Sequence, residues 1–344
     1  MTKKEEHIVI LGNGIAGLSA AETIRKENAA VPITMIFQEP YLTYSKPALS
    51  KMPLRSFQEK NIFLHTENWY QRRQISLLAN SCITELLPKE GKILFTDRFS
   101  RTLPESLSFS HCIYALGAES FVPPFQNVNL PGVFTLRTLE DYHSLQNELQ
   151  SEVQNKLQNE LQSELNSQLQ SRRRAVIIGG GAIGQEFAWL LYQAGCQVTI
   201  LEAANALKGR LAEEKADRTL KQLIQDGIIQ TRTNAKIREI TNTSENLPPH
   251  AAGVQTEKEW FAADFVLISC GIRANTAIAQ NAGIACDRGV LVNNSMETSI
   301  PCIYAAGDCI QNTQTATPNP GLWYFAKQSG ETAGKSVARC LSGL

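Results

Sequence analysis

Two glycine-rich segments have the residue types and the spacing that bind the diphosphate of a dinucleotide. One begins at Gly12 (GNGIAG) and the other at Gly179 (GGGAIG). In the pattern G-x-G-x-x-G the first glycine permits a tight turn, the second lets the backbone approach the diphosphate, and the third lets a helix pack closely on a strand. The candidate cofactor-binding residues of these segments are Gly12, Gly14, Ile15, Ala16, Gly17, Gly179, Gly181, Ala182, Ile183 and Gly184.

Each glycine segment is flanked by the elements that would position it. An apolar strand candidate precedes the first segment at His7 to Leu11 and the second at Ala175 to Ile178. Helix-like runs follow, LSAAETIRKE in one case and QEFAWLLYQAG in the other, and the N-terminus of a helix attracts phosphate. Glycine turns before helices also arise for packing alone, but the same order occurring twice favours two dinucleotide sites.

An acid at the end of the second strand of each unit is the next expected feature, because it binds the ribose hydroxyls. After the second segment, the strand from Gln197 to Leu201 ends at Glu202. Its carboxylate would accept from a 2′-hydroxyl and repel a 2′-phosphate, which indicates NAD rather than NADP. After the first segment, the strand from Ile33 to Phe37 ends in Gln38 and Glu39. The alternative for either acid is a surface charge at a strand end.

Two dinucleotide sites in one chain predict FAD in the first and NAD in the second, with hydride transfer between them. Gly307 and Asp308 follow a strand candidate (IYAAGD), where the carboxylate would accept from the ribityl hydroxyls of a flavin. Crossings between two domains are predicted where strands end in glycine, at Ala115 and Gly117 and again at Gly271.

The composition excludes several function classes. The 344 residues contain 33 Lys and Arg and 33 Asp and Glu, so nothing favours nucleic acid or an acidic membrane surface as a partner. No apolar run reaches the roughly 18 residues that span a bilayer, and the N-terminus does not have the pattern of a signal peptide, so we expect a cytoplasmic protein. The eight cysteines contain no CxxC pair; we expect them to be reduced core residues, with no metal site.

One segment has low complexity. From Leu145 to Leu169 an apolar residue falls at every fourth position, without Gly or Pro. The pattern predicts a helix whose apolar stripe winds around it, since four residues exceed the 3.6-residue turn, and this disfavours a long coiled coil. We expect an exposed arm without a chemical role, the alternative being a partner-binding helix. Replacing Asn147 to Ser167 by a Gly/Ser linker should then leave flavin content unchanged.

Outside this insertion the sequence resembles the FAD-dependent pyridine nucleotide reductases, which are flavoproteins with two dinucleotide folds. The segment from Tyr44 to Lys51 (YSKPALSK) is most similar to the branch of the rubredoxin reductases and the NADH-oxidising part of nitrite reductase. This resemblance implies that Lys46, Pro47 and Lys51 lie along the flavin. It also implies that Glu186, after the NAD glycines, lies near the nicotinamide and pairs with Lys51; the alternative is an ordinary interdomain salt bridge.

The sequence also departs from the pattern of the family. Gln38 stands where many relatives have an acid, and Leu116 replaces the threonine of the family's first crossing. Trp323 or Tyr324 flanks the flavin or packs in the core. Only 36 residues follow Asp308. We therefore expect the family's C-terminal interface domain to be missing and the protein to be a monomer or a weak dimer.

The predicted fold is α/β, with two Rossmann-like dinucleotide-binding domains. The FAD domain is discontinuous, comprising residues 1–121 and 273–344. The NAD domain is inserted into it as residues 122–272 and contains the low-complexity segment at about 145–170.

The function predicted from these features is NADH-dependent electron transfer through FAD. Residues 41–55 contain no cysteine, so a dithiol beside the flavin is not expected, and the electrons should pass to a small iron or iron–sulfur carrier of the rubredoxin type. The alternatives are an NADH oxidase or diaphorase that reduces oxygen or quinones, and a flavin-binding redox sensor that is not an enzyme.

Overall fold

The computed structural model describes residues 6–28, 30–52, 54, 57–99, 103–160, 172–209, 211, 213–244, 247–314 and 321–343, with the backbone alone over 151–160. The chain forms two compact units. Unit 1 comprises Met1–Ser45, Glu59–Glu119 and Ile272–Leu344, and unit 2 comprises Lys46–Gln58 and Ser120–Gly271. The observed boundaries lie within two residues of the predicted ones, except that residues 46–58 belong to unit 2 rather than to the discontinuous first domain.

Unit 1 is built on a parallel sheet. Its strands, in spatial order, are β19 (Ile303–Ala305), β7 (His111–Tyr114), β1 (Ile8–Leu11), β2 (Ile33–Ile36) and β3 (Ile75–Leu78). The residues of β1, β2 and β7 are all buried, as expected for strands of a parallel sheet covered on both faces. β2 and β7 pair with opposite sides of β1, so the strand order reverses at β1. Open α/β sheets bind ligands at the carboxyl end of the strands where this reversal occurs.

Two helices of unit 1, α1 (Ile15–Glu27) and α7 (Trp323–Ser342), pack closely on each other. A Cβ on Gly330 of α7 would lie 2.1 Å from the Ala16 carbonyl oxygen, so only glycine permits this approach. The other elements described in or bordering unit 1 are α2 (Glu67–Arg72), β4 (Ser81–Leu87), β5 (Lys92–Asp97), β6 (Glu105–Ser108), β8 (Ala118–Ser120), β17 (Ile272–Ala274), α6 (Ala277–Asn281), β18 (Val290–Val292) and β20 (Ile310–Asn312).

Unit 2 repeats this plan. Its parallel sheet has the order β12 (Gln230–Arg232), β11 (Gln197–Leu201), β10 (Arg174–Ile178), β16 (Phe265–Ile268) and β9 (Val133–Phe134). Its other described elements are α3 (Leu139–Glu160), α4 (Ala182–Gln193), α5 (Glu214–Gln225), β13 (Ile237–Asn242), β14 (Ala251–Thr256) and β15 (Trp260–Ala262). β10 lies between β11 and β16 just as β1 lies between β2 and β7. The predicted α/β fold with two Rossmann-like domains is confirmed.

The low-complexity segment begins as part of unit 2, not as an exposed arm. Leu145 is fully buried, and Gln146 Nε2 donates to the Leu54 carbonyl oxygen at 2.7 Å. Glu148 Oε1 lies 2.5 Å from Arg173 Nη2 in an ion pair whose side chains are 20% and 12% exposed. The predicted helix is confirmed as far as Glu160, and residues 161–171 lie outside the described part of the chain. The expectation that the whole segment is exposed is wrong, because its first residues pack in the core of unit 2. The period of four is the same for these buried residues as for the rest of the repeat and does not distinguish them.

The segment 46–58 joins unit 2 through the same helix. Tyr142 is fully buried, and its hydroxyl donates to the Met52 carbonyl oxygen at 3.1 Å. The ring of Phe57 packs on that of Tyr142, with centroids 4.4 Å apart. Residues 46–58 therefore belong to unit 2, although they are closer in sequence to the first glycine segment than to the second. Among the described helices, none is long and apolar enough to cross a membrane.

Candidate functional site

The first glycine turn joins β1 to α1 through backbone that admits no side chain at two of its three glycines. Gly12 has φ +107°, and a Cβ there would lie 2.3 Å from the Ala115 carbonyl oxygen. A Cβ on Gly17 would lie 2.2 Å from the Gly12 carbonyl oxygen. Only glycine fits both positions, since real Cβ atoms do not approach an oxygen so closely. The strand, the helix and the neighbouring crossing thus fix the shape of the turn.

The middle glycine of this turn is different. A Cβ on Gly14 would meet nothing within 4 Å, so this glycine faces open space. Gly14 caps α1 with extended backbone, no side chain bonds to the cap, and the first turn, which includes Ile15 and Ala16, contains no acid. A helix N-terminus has backbone N–H groups without helical partners and a partial positive charge. The turn therefore fits a diphosphate such as that of FAD.

Asp308 lies at the same edge of the sheet of unit 1, just beyond the carboxyl end of β19. The preceding Gly307 has φ +89°, and a Cβ on it would lie 3.0 Å from Ala16 Cβ. The Gly307 N–H donates to Ser329 Oγ of α7 at 2.9 Å. The hydrogen bond holds the loop on α7, and its close approach to Ala16 places the half-buried Asp308 near the N-terminal turn of α1.

The two polar residues after β2 have different surroundings. Gln38 is exposed. Glu39 is half-buried, and its Oε2 accepts a hydrogen bond from the phenol of the buried Tyr44 at 2.7 Å. Of the two, only Glu39 therefore has a carboxylate and a fixed position from which to bind a ribose.

A side-chain network around Asn13 was not anticipated from the sequence. Thr43 Oγ1 donates to Asn13 Oδ1 and lies 2.9 Å from the hydroxyl of Tyr70. Asn13 Nδ2 donates to the Tyr41 carbonyl oxygen at 3.3 Å. Burial raises the pKa of the Tyr70 phenol, which keeps it neutral. No spacing rule connects Asn13 with a threonine 30 residues later, so this tether to the glycine turn is visible only in the structure.

The second glycine turn, in unit 2, reproduces the geometry of the first. Gly179 has φ +109°, and a Cβ on it would lie 2.2 Å from the Ser269 carbonyl oxygen. A Cβ on Gly184 would lie 2.0 Å from the Gly179 carbonyl oxygen, whereas a Cβ on Gly181 would meet nothing within 4 Å. Ala182 and Ile183 are the exposed first residues of α4. In this turn too, the first and third glycines have no room for a side chain, and the middle glycine faces open space at the N-terminus of a helix.

Glu202, at the end of β11, is bonded directly to this turn. Its Oε2 accepts from the Gly180 N–H at 2.7 Å, and its Oε1 accepts from the Ala204 N–H at 2.7 Å. Gln185 Nε2 donates to the Gly180 carbonyl oxygen at 3.0 Å, so both backbone polar groups of Gly180 are bonded to side chains. Charge-assisted bonds to the backbone hold the carboxylate in one orientation beside the turn.

Glu186 lies on the first turns of α4 and is half-buried. Its Oε2 accepts a hydrogen bond from the hydroxyl of Ser50. Ser50 lies in the segment 46–58, which is part of unit 2. The side chain of Lys51 is exposed, and the ion pairs observed among the described residues do not include one between Lys51 and Glu186. Lys46 and Pro47 form a short helical turn in the same segment. Ser50, which sequence reasoning passed over, is the residue that contacts Glu186.

The two predicted crossings are tight turns. Gly117 has φ +64°, and its carbonyl oxygen accepts from the Asn275 N–H at 3.0 Å. Gly271 has φ +100°, and its carbonyl oxygen accepts from the Phe121 N–H at 2.8 Å. Ala115 is buried behind the first glycine turn. Each crossing is thus fixed by hydrogen bonds within its own unit.

The prediction that all eight cysteines are core residues is wrong. Cys112 and Cys309 are buried, and burial raises the pKa of both thiols, that of Cys309 to about 12. Burial also raises the pKa of Cys270 to about 11, with a further contribution from Glu202. Cys302 and Cys340, however, are exposed. Residues near the end of the chain lie at the surface where the sequence pattern had suggested packing.

The family description that matches this chain is "Pyridine nucleotide-disulphide oxidoreductase", over residues 6–330. The chain belongs to this family. As a pyridine nucleotide-disulphide oxidoreductase it is an FAD- and NAD(H)-dependent enzyme, which confirms the predicted cofactors and the prediction of an oxidoreductase.

Several known proteins are similar to this member of the family. An "NADH oxidase" of Methanocaldococcus jannaschii is 28% identical over 338 residues, which cover 96% of this chain and 69% of that protein. A "Nitric oxide reductase FlRd-NAD(+) reductase" of Vibrio vulnificus is 29% identical over 305 residues, 88% of this chain and 72% of that protein. The structure also resembles a covalent putidaredoxin reductase–putidaredoxin complex, with TM-score 0.80, 22% identity, and coverage of 98% of this chain and 76% of that one. At that identity the resemblance concerns the fold.

Proposed function

We propose that this chain carries FAD in unit 1, binds NADH in unit 2 and passes electrons to a small iron or iron–sulfur carrier protein of the rubredoxin type. The observation that supports this proposal is the presence of two glycine turns with the same geometry, one in each unit. The family supplies the two cofactors, and the two turns supply one diphosphate site for each of them.

In unit 1 we assign the diphosphate of FAD to Gly14 and the N-terminus of α1, which face open space. Glu39, held by Tyr44, would accept from the adenosine ribose, and Asp308 would accept from the ribityl hydroxyls. Bound FAD supplies a two-electron acceptor that can release its electrons singly. The residues of the chain bind and orient this group, and none of them needs to donate a proton.

In unit 2 we assign the diphosphate of NADH to Gly181 and the N-terminus of α4. Glu202 would accept from the adenosine ribose while its two backbone donors keep the carboxylate in place. The same fixed charge would repel the 2′-phosphate of NADPH. The pyridine nucleotide preferred by this chain is therefore NADH.

The nicotinamide end of NADH we assign to Glu186. Ser50 donates a hydrogen bond to one oxygen of this carboxylate, and that bond orients the group without neutralising it. Lys51 is exposed in the same segment. In this assignment Ser50 replaces Lys51 as the partner of Glu186.

The electron acceptor is proposed to be a separate protein because the chain offers no internal dithiol beside the flavin site. Residues 41–55 contain no cysteine, and the buried thiols Cys112 and Cys309 have raised pKa values that keep them protonated. The similar Vibrio vulnificus protein bears the name of an "FlRd-NAD(+) reductase", and it suggests the same class of acceptor here.

The test is an anaerobic titration followed by reoxidation. NADH should reduce the protein with about two electrons per flavin, and uptake of about four with a thiolate-to-flavin charge-transfer band would contradict the absence of a dithiol. The reduced protein is then mixed in a stopped-flow instrument with rubredoxin, with a [2Fe–2S] ferredoxin, with oxygen and with benzoquinone. Reoxidation by an iron carrier roughly tenfold faster than by oxygen would support the proposal.

A second candidate function is direct oxidation of NADH by oxygen. It is favoured by the match to the Methanocaldococcus jannaschii "NADH oxidase", which extends over 96% of this chain. The same reoxidation experiment separates the two functions. If oxygen reoxidises the flavin as fast as every carrier protein, the oxidase is the correct assignment and the carrier is not.

A further inference from the structure

The exposed Cys340 lies in unit 1 at the end of the sheet opposite the glycine turn. It belongs to the last turn of α7, and its Sγ lies 3.3 Å from Nε2 of His111, the first residue of β7. Gly12 follows the carboxyl end of β1, whereas His7 and His111 mark the amino ends of β1 and β7. The Cys340–His111 pair is therefore separate from the dinucleotide sites.

The hydrogen bonds around Ser110 determine which nitrogen of His111 carries the proton. Ser110 Oγ donates to the His7 carbonyl oxygen at 3.1 Å and accepts from the His7 N–H at 3.0 Å. A hydroxyl has one proton and two lone pairs, so with its proton on the His7 carbonyl we assign its remaining contact, with His111 Nδ1 at 3.2 Å, as one that it accepts. His111 Nδ1 is then protonated, and Nε2 presents its lone pair to the thiol of Cys340.

The electrostatic surroundings are consistent with a neutral imidazole. His111 is 8% exposed, and burial lowers its pKa, while Glu6 acts weakly in the opposite direction. The ring of Tyr304 lies beside the imidazole, with centroids 6.4 Å apart. A neutral base thus adjoins an exposed thiol and is itself oriented by a third group, which is the arrangement of an activated nucleophile.

We propose that Cys340 is a thiol-oxidation site for hydroperoxides, with His111 as its base and Ser110 as the positioning residue. His111 Nε2 takes the thiol proton, and the sulfur attacks one peroxide oxygen, forming an S–O bond as the O–O bond breaks. Two electrons pass from sulfur to the peroxide, and the departing hydroxide or alkoxide takes the proton from Nε2 to become water or an alcohol. The product is a sulfenic acid at Cys340.

The test measures the rate of this reaction with hydrogen peroxide. Cys302→Ser is introduced first, so that no second exposed thiol near the chain end interferes, and the sulfenic acid is trapped with dimedone and assigned to Cys340 by peptide mass spectrometry. A synthetic peptide of residues 335–344 provides the same local sequence without His111. We expect the full chain to react roughly tenfold faster than the peptide, or more, and His111→Asn to remove most of that difference.

Two further variants separate chemistry from folding. Ser110→Ala leaves the imidazole but removes its orienting partner, and it should slow the reaction roughly threefold or more with FAD content unchanged. If His111→Asn does not fold, as judged by circular dichroism and FAD content, Ser110→Ala alone decides. Cys340→Ser should leave NADH oxidation unaltered. A full-chain rate within about twofold of that of the peptide, or an unchanged rate in folded His111→Asn, would overturn the proposal.

Discussion

The two glycine turns have nearly the same backbone but hold their acids in different ways. In unit 2, Glu202 accepts a hydrogen bond from the Gly180 N–H, so the acid and the turn form one structure. In unit 1, Glu39 is held by the phenol of Tyr44, and the turn is tethered separately, through Asn13 and Thr43. The second-strand acid is thus part of the turn in one unit and attached to a loop in the other.

The same glycine motif is therefore compatible with two different connections between the acid and the turn. Removing the acid in unit 2 takes a charged acceptor from two backbone N–H groups, those of Gly180 and Ala204, whereas removing Glu39 takes an acceptor from one side-chain hydroxyl, that of Tyr44. Hydrogen bonds between a carboxylate and backbone N–H groups are stronger than those of neutral pairs. Nucleotide binding in unit 2 should therefore depend more strongly on its acid.

The largest effect is expected when an alanine replaces the first glycine of either turn. Gly12→Ala would place Cβ 2.3 Å from Ala115 O, and Gly179→Ala would place it 2.2 Å from Ser269 O, both at positive φ. Each substitution should cost more than about 3 kcal/mol of folding free energy, from steric overlap and backbone strain together. The measurement is the melting temperature together with the ratio of FAD to protein.

The middle glycines provide the matched controls. Alanine at Gly14 or Gly181 meets no atom within 4 Å, so the melting temperature of the FAD-free protein should change little. The added methyl group would nevertheless occupy the space assigned to a diphosphate. FAD affinity should fall in Gly14→Ala and NADH affinity in Gly181→Ala. A fall in stability without a change in affinity would place the diphosphates elsewhere.

The second prediction compares the acids themselves. Glu202→Ala should reduce the NADH-to-NADPH ratio of kcat/KM by roughly 5- to 150-fold, corresponding to about 1–3 kcal/mol, because it removes the ribose acceptor and the charge that repels the 2′-phosphate. Glu39→Ala should leave that ratio unchanged and weaken FAD binding instead. Equal effects of both variants on the ratio would show that the two acids do not serve different nucleotides.

The third prediction concerns the tether of the first turn, which the second turn does not have. Thr43→Val is nearly isosteric and removes the hydrogen bonds to Asn13 and Tyr70. It should cost about 1–2 kcal/mol of stability and weaken FAD binding several-fold. Tyr70→Phe retains the bond to Asn13 and is the control. An FAD affinity that falls equally in both variants would indicate loss of core packing, not loss of the tether.

The smallest effect is expected at Ser50. Ser50→Ala removes the hydroxyl that orients Glu186, and it should reduce kcat/KM for NADH about fivefold, corresponding to roughly 1 kcal/mol. FAD content should not change. Ser45→Ala, at the last residue of unit 1 before this segment, is the control. If Lys51→Ala instead has the larger effect on NADH kinetics and Ser50→Ala has none, Lys51 is the functional partner of Glu186.

Much of the fold could be predicted because its signals are local. Strand, glycine turn and helix follow one another within about 20 residues in each unit, and the positive φ at Gly12 and Gly179 is a property that glycine alone supplies cheaply. The acid after β11 could be located in the same way, by counting along one strand. Long-range contacts left no such signal, and the placement of residues 46–58 and the burial of Leu145 were missed for that reason.

Two dinucleotide folds and the position of each glycine turn could be predicted without a structure, because backbone sterics and the charge of a helix end act over a few residues. FAD and NAD followed from these two turns together with the resemblance to the family. The contacts between distant side chains are visible only in the folded chain: Thr43 with Asn13, Ser50 with Glu186, and His111 with Cys340. The sequence separations of these three pairs are 30, 136 and 229 positions. The folding of the chain brings the members of each pair together, and no local pattern in the sequence predicts these contacts.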